Sequence, residues 1–359
     1  MAANTLSLSE FSPDTLAHHL AERGHKTSHA ARILRAYYTS NGSMECGNLS
    51  PHSTNNPLKL PHPLARHLRD DFANSTQIAA RQISDDGTVK LLLRLRDGRA
   101  VEAVMMSNLA PDSAAGCVSS QAGCAMGCDF CATTKTGFER NLTAGEMVEQ
   151  FLAVRREAAL AGRKLQTLVF MGMGEPMLNL DAVLEAVRRI ASNNMGNLGW
   201  RQITVSTVGI VPGIDAMAAA GLNIHLAVSL HAPDDATRAK LLPAGKRFRV
   251  DDIMAAADRY QAKTRRIVTI QYCLLKGVND SPAQARQLAA LLENRRMHVN
   301  LLHYNPTGAS LSGATYAAPA DATASAFLAV LRANKVIAHF RRPRGRDIDA
   351  ACGQLKGKF

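Results

Sequence analysis

The chain has 359 residues, 46% of them hydrophobic, 5% aromatic and 20% charged, with a formal net charge of +12. That length exceeds one small domain and suits a large α/β domain with a smaller attachment. The opening MAANTLSLSEF lacks a basic segment followed by an apolar one, and no apolar run approaches the roughly 20 residues of a membrane span. The expectation is therefore a soluble cytoplasmic protein, neither secreted nor membrane-bound. The basic excess points to a polyanionic partner, most often nucleic acid, although charge alone leaves an ordinary basic enzyme equally open.

Residues 1–75 read as a small helical domain. Ser12 followed by Pro13 predicts a helix start, a capping hydroxyl ahead of a proline at the first helical position. Apolar residues then recur at helical spacing as far as Tyr38. NGSMECGNLSPHSTNNP reads as a loop and LARHLRDDF as a second helical piece. Over 76–107 the period changes to that of strands. TQIAARQIS, TVKLLLRLRD and RAVEAVMM, divided by the turn signals DDG and RDG, predict a short antiparallel meander.

From Cys117 onward strands and helices alternate. QTLVFMGMG, ITVSTVGI, NIHLAVSLHA, IVTIQYCLL, HVNLLHYNP and VIAHFRRP read as strands. Between them TAGEMVEQFLAVRREAAL, LDAVLEAVRRIA, GIDAMAAA, VDDIMAAADRYQAK, PAQARQLAALLENR and DATASAFLAVLRAN read as helices. Repeated βα units imply a parallel sheet, here an α/β fold with a partial (β/α) barrel over 108–347 and a C-terminal tail over 348–359. Chemistry in such folds gathers where strands end. MGMGEP, STVG, SLHAP and YNP all fall at those ends.

Seven cysteines, clustered, favour metal binding or catalysis over a disulfide framework in a cytosolic chain. Cys124, Cys128 and Cys131 read C-x3-C-x2-C after a short strand, CVSSQ. Three thiolates on one tight loop, with small Ala125 and Gly127 between them, can hold three corners of a 4Fe–4S cube and leave the fourth iron open. A structural zinc with a fourth ligand from elsewhere is the alternative, though zinc sites more often pair two C-x2-C units. Cys273 reads as a buried small hydrophobe, His225 as a packed core histidine, and Cys46 has no assigned role.

C-x3-C-x2-C with Phe130 before the last cysteine resembles the radical S-adenosylmethionine superfamily. CVSSQAGC, FMGMGEPMLN, ITVSTVGIVPGI, AVSLHAP and DIDAACGQL together resemble its RlmN/Cfr family of adenine methyltransferases, over roughly residues 80–357. The resemblance implies a 4Fe–4S cluster on Cys124, Cys128 and Cys131, and S-adenosylmethionine at its open iron. By the same matching Gly174, Glu175, Ser206, Ser229, Leu230, His231 and Asn305 contact that cofactor. Cys352 matches a cysteine that carries the methyl group. Cys117 matches one that resolves a protein–RNA adduct by forming a disulfide; as a fourth cluster ligand it would close the iron the cofactor needs. Glu102 lines up with a glutamate described as a proton acceptor, although a lone strand glutamate is usually a solvated side chain.

The implied reaction consumes two S-adenosylmethionine per turnover and places a methyl on carbon 2 of an adenosine in 23S ribosomal RNA and, for some members, on adenosine 37 of transfer RNA. Cfr-type methylation at carbon 8, which confers antibiotic resistance, is the alternative. A non-catalytic RNA-binding factor with a structural cluster is the alternative from another class. A flavodoxin-like or ferredoxin-like electron donor and a monomeric chain are expected. The arginine-rich HFRRPRGRD (339–347) is the expected RNA contact, the helical ERGHKTSHAARILR is a second basic cluster, and the target base must leave its stack to be reached.

Overall fold

The structure, a computed structural model, describes residues 5–43, 58, 60–243 and 247–357. Cys46 and the loop reading from residue 44 to 57 lie outside the described residues. The N-terminal part forms α1 (Pro13–Glu22), α2 (Ala30–Thr39) and α3 (His62–Asp71). Ser12 caps α1 as expected, accepting the Thr15 N–H at 3.2 Å while its own N–H donates to the Thr15 hydroxyl at 2.8 Å. The helical period that runs on to Tyr38 hides a break. Gly24 takes a φ of +73°, its N–H reaches the Ala21 carbonyl, and the His25 N–H reaches that of Leu20. This is a glycine-terminated helix end, which apolar spacing does not register.

The segments around these helices dock on α4 (Ala144–Leu160): residues 8–10 lie against it, and Arg155 and Arg156 reach Tyr38 and Asn41 at the end of α2. Glu149 of α4 is the peg. Its buried carboxylate accepts from the hydroxyls of Ser7 (2.6 Å) and Ser9 (2.8 Å), the N–H of Ser75 (2.8 Å), and the N–H and hydroxyl of Thr76 (both 2.7 Å).

Among the described residues ten strands form one sheet. The expected meander is β1 (Thr76–Ile83), β2 (Val89–Leu95) and β3 (Ala100–Ser107), and β3 continues antiparallel onto β4 (Ser113–Val118). β4 starts ahead of CVSSQ, whose last residue, Gln121, instead opens β5 (Gln121–Gly123). β5 pairs with β6 (Phe138–Asn141) and closes the base of the cysteine loop.

Beyond β4 every neighbour is parallel: β7 (Lys164–Phe170), β8 (Ile203–Thr207), β9 (His225–Ser229), β10 (Val268–Leu274), β11 (Met297–His303) and β12 (Ile337–Phe340). The helices α5 (Leu180–Ala191), α6 (Val211–Ala219), α8 (Val250–Thr264), α9 (Pro282–Leu291) and α10 (Asp321–Ala333) cross between them. A short α7 (Asp235–Leu241), absent from the sequence reading, precedes α8.

The strands follow one another in chain order without reversal, the winding of a barrel rather than of a doubly wound sheet. The order runs from β1 to β12 and stays open, so the barrel is partial. His225 is half-buried at the start of β9, not packed in the core as expected.

Candidate active site

The loops after β4, β7, β8, β9 and β11 meet at one end of the sheet, the end where an α/β barrel carries its chemistry. The cysteine loop is held open by its own backbone. Cys124 donates its N–H to the Gly137 carbonyl at 2.9 Å, and the Thr134 hydroxyl reaches the carbonyls of Cys128 (3.1 Å) and Cys131 (2.9 Å). Gly123 (φ +72°) has no room for a side chain, since a Cβ there would come within 1.8 Å of the Gly137 oxygen.

Around the thiols lies an apolar bed of Met126, Leu241, Leu242, Cys273, Leu275 and Tyr304. Burial pushes the Cys124 thiol up to about 12, that of Cys128 well above its ordinary value, and that of Cys131 upward as well. Among the described residues no group of His, Cys, Asp or Glu is set to hold a single metal ion. A 4Fe–4S cube asks for something else, because each thiolate takes a different iron and the ligands stand apart around a volume. Three mutually interacting thiols in a dry bed fit that demand, and bound iron would draw off the protons that burial holds on them.

The glycine-rich turn after β7 lies directly against the chain leaving β4. A Cβ on Gly174 (φ +97°) would come 2.5 Å from the Gln121 Cβ, and one on Gly172 2.6 Å from the Ser119 hydroxyl. The Met173 N–H donates to the Ser119 hydroxyl and the Glu175 N–H to Gln121 Oε1, both at 2.8 Å. Glu175 is buried and accepts the N–H groups of Met177 (3.0 Å) and Val208 (2.8 Å). Burial still raises its carboxyl to about 7, so a cationic ligand group here would restore its charge.

Ser206 and Ser229 stand half-buried on β8 and β9, and the Ser206 hydroxyl donates to the Phe170 carbonyl at 2.9 Å. Leu230 is buried, its N–H on the Gln271 carbonyl. His231 follows in left-handed backbone (φ +57°), with Nδ1 accepting the Cys273 N–H at 3.0 Å and its ring edge-on to Phe130. Burial, then the nearby Arg238, drives its imidazole down to about 3, so it is neutral.

The C-terminal tail completes the site. The Gly353 carbonyl accepts from the Ala132 N–H at 2.7 Å and that of Leu355 from the Thr133 hydroxyl at 2.7 Å. Asn305 is engaged with the tail: it donates to the Cys352 carbonyl at 3.3 Å and accepts from Arg346 Nε at 2.9 Å. Glu102 is not solvated, as its strand position suggested, but fully buried. It accepts the Lys356 N–H at 3.1 Å and lies 4.0 Å from the Lys90 ammonium.

Cys117 and Cys352, from the two ends of this domain, line one cavity of about 660 Å³ together with Cys131, Asn305, Arg341 and Arg344. Burial, then the neighbouring Cys352, pushes the half-buried Cys117 thiol up to about 12, while Cys352 is exposed. The disulfide expected between them is not formed: all six described cysteines are free thiols.

Two features escaped the sequence reading. Asp129, inside the cysteine loop, accepts the Ser312 N–H (2.9 Å), the Ser312 hydroxyl (2.6 Å) and the Tyr316 hydroxyl (2.6 Å), which latch the 305–316 loop over it. Cys273, expected only as a core hydrophobe, is buried within the cysteine bed itself. No spacing signal in the sequence marks either, since both depend on loops meeting across the barrel mouth.

Residues 118–289 match the radical SAM superfamily. The chain is 66% identical over 353 residues to a probable dual-specificity RNA methyltransferase RlmN 1 of Opitutus terrae, covering 98% of this chain and 97% of that one. It is 40% identical over 351 residues to a probable dual-specificity RNA methyltransferase RlmN of Rhodopirellula baltica, covering 97% and 90%. The crystal structure of a radical SAM methyltransferase from Sphaerobacter thermophilus superposes with a TM-score of 0.89 at 40% identity, covering 98% of this chain and all of that one.

Proposed function

The chain is a radical S-adenosylmethionine RNA methyltransferase of the RlmN family, and from that premise we propose that it methylates carbon 2 of an adenosine in 23S ribosomal RNA, and adenosine 37 of transfer RNA as well. The observation that carries this reading is the cavity shared by Cys117 and Cys352 beside the cysteine loop. Carbon 2 of adenine is electrophilic and cannot attack a methyl donor, so a thiol must take the methyl first and pass it on. Cys352, exposed on the tail, is the carrier. Cys117 is the thiol that attacks the carrier sulfur and frees the product, leaving the two cysteines as a disulfide to be reduced before the next cycle.

Cys124, Cys128 and Cys131 would hold a 4Fe–4S cluster. When bound, that cluster supplies the electron that cleaves S-adenosylmethionine to a hydrogen-abstracting radical. Gly174 lets the turn close against Gln121 beside the methionine part of the cofactor, and Glu175 faces its ammonium. Ser206, Ser229, Leu230, His231 and Asn305 form the rest of its bed, and Glu102 is the proton acceptor. An electron donor of flavodoxin or ferredoxin type and a monomeric enzyme complete the reading.

Mass spectrometry of nucleosides from RNA incubated with the anaerobically purified, reduced enzyme tests it. The expected outcome is 2-methyladenosine, with about four irons per chain. A product of 8-methyladenosine would make the enzyme Cfr-type. A colourless protein holding one zinc would overturn the radical reading.

A further inference from the structure

A basic stripe leaves the cavity and follows the edge of the sheet. β12 ends the strand order, so among the described residues no strand flanks its outer side. Alternation turns Val299, Leu301 and Ala338 into the core and leaves His298, Asn300, Ile337 and His339 on the opposite, open face of β11 and β12. At the cavity end the exposed His339, on that open face, lines the wall that Cys352 also lines, while His303 and Phe340, stacked with ring centroids 4.5 Å apart, fall on the core side of the alternation. At the far end a second groove of about 530 Å³ is lined by Arg296, Lys335 and His298.

Burial, then His339 and Arg296, hold the His298 imidazole below its ordinary value, which puts the two grooves in one electrostatic neighbourhood. Arg295 pairs with Asp258 at 2.9 Å, but among the described residues no carboxylate lies within ion-pair distance of Arg296, Lys335, Arg342 or Arg344. Glu293 is the acidic side chain in the far groove. Ile337, 59% exposed, interrupts the charges with an apolar patch.

Alternating unpaired cations and flat or apolar side chains along an open groove are what a single nucleic-acid strand requires, phosphates on the cations and bases on the platforms. A duplex, whose bases are already stacked, would gain nothing from His339 and Ile337. Lys335 and Arg342 are separated by roughly 20 Å of extended chain, enough for several nucleotides.

Resting on the reading that the substrate is RNA, we propose that the unpaired strand flanking the target nucleotide lies along the open face of β11 and β12. A base stacks on the exposed His339 ring, and the phosphates run from Arg342 and Arg344 to Arg296 and Lys335.

The test uses the full chain and a fluorescein-labelled single-stranded RNA containing one adenosine, with binding followed by anisotropy across a salt series. The doubly substituted Arg296→Ala/Lys335→Ala protein is expected to bind more weakly and to lose about 1.4 from the slope of log affinity against log salt, about 0.7 for each lost contact. Arg296→Lys/Lys335→Arg, which keeps both charges, should restore the slope. A wild-type slope and affinity in the alanine protein, with its circular dichroism unchanged, would overturn the proposed path. So would intact RNA binding combined with slower reduction by an acidic flavodoxin, which would make the groove a protein-docking site. If the wild-type chain itself shows no salt-dependent RNA binding, the RNA reading fails as well as the path.

Discussion

Cys124, Cys128 and Cys131 lie in a bed of leucine, methionine and tyrosine, strapped down by backbone hydrogen bonds. Cys117 and Cys352 face a cavity rimmed by arginines, one half-buried and one exposed. The same side chain thus occupies two environments, and Cys131, which borders both, marks where they meet. The dry bed suits thiols that will stay bonded to metal, because excluded water protects the bond and tunes its potential. The open cavity suits thiols that must meet a large anionic substrate and then release it. The boundary between the two is a single step of chain, from β4 through Gln121 to the cysteine loop.

The largest way to break this comparison is to remove the carrier. Cys352→Ala should abolish RNA methylation while leaving iron content unchanged. Cys117→Ala should instead trap RNA covalently on the tail, seen as a shifted band that nuclease removes. Methylation by Cys352→Ala would sink the two-thiol division of labour.

On the dry side, Gly123→Ala forces a Cβ into the Gly137 carbonyl at a positive φ. It should cost about 3 kcal/mol or more and empty the site of iron. The measurement is urea unfolding with iron quantification, and an iron-replete, equally stable variant would refute the cradle.

A third experiment sharpens the contrast directly. In iron-free protein, iodoacetamide should modify the exposed Cys352 first and Cys117 far more slowly, since its thiol is held near 12. Cys124 and Cys128, each only 9% exposed, should react last. Peptide mapping reads the order.

The smallest expected effect is a pH dependence. Folded His231 holds its proton only below about 3, whereas the unfolded chain takes it near the ordinary 6.5. The unfolded state therefore binds more protons between those values. His231 lends stability above pH 6.5 that is lost as pH falls toward 3, by up to about 1.4 kcal/mol per pH unit. His231→Asn keeps an acceptor for the Cys273 N–H and tolerates the left-handed backbone. Chemical denaturation at several pH values should show a flatter acid limb for it than for the wild type.

How much of this was legible follows from the kind of signal each feature leaves. Strands and helices from β7 to β12 announce themselves because their apolar periods are long and each ends in a glycine or polar turn. The break at Gly24 was missed because apolar residues on both sides keep the helical spacing. α7 is too short for its period to register. At the site, Gly174 and the cysteine loop stand out as spaced motifs. The burial of Glu102 under Lys356 and the Asp129 latch do not, since each is made by residues that meet only after folding. Cys117 and Cys352 were paired through resemblance, and distance in sequence gives no physical hint that one cavity receives both.

The Glu149 carboxylate has a topological consequence. It receives residues 7–9 from one side and 75–76 from the other, so the intervening helices leave and return at one atom-sized port. The N-terminal helices are in effect an appendix hung on a closed loop, with a second contact where Arg155 and Arg156 of α4 reach Tyr38 and Asn41 at the end of α2. A different appendix with the same two ends and the same α2 contact could be exchanged there without moving a strand.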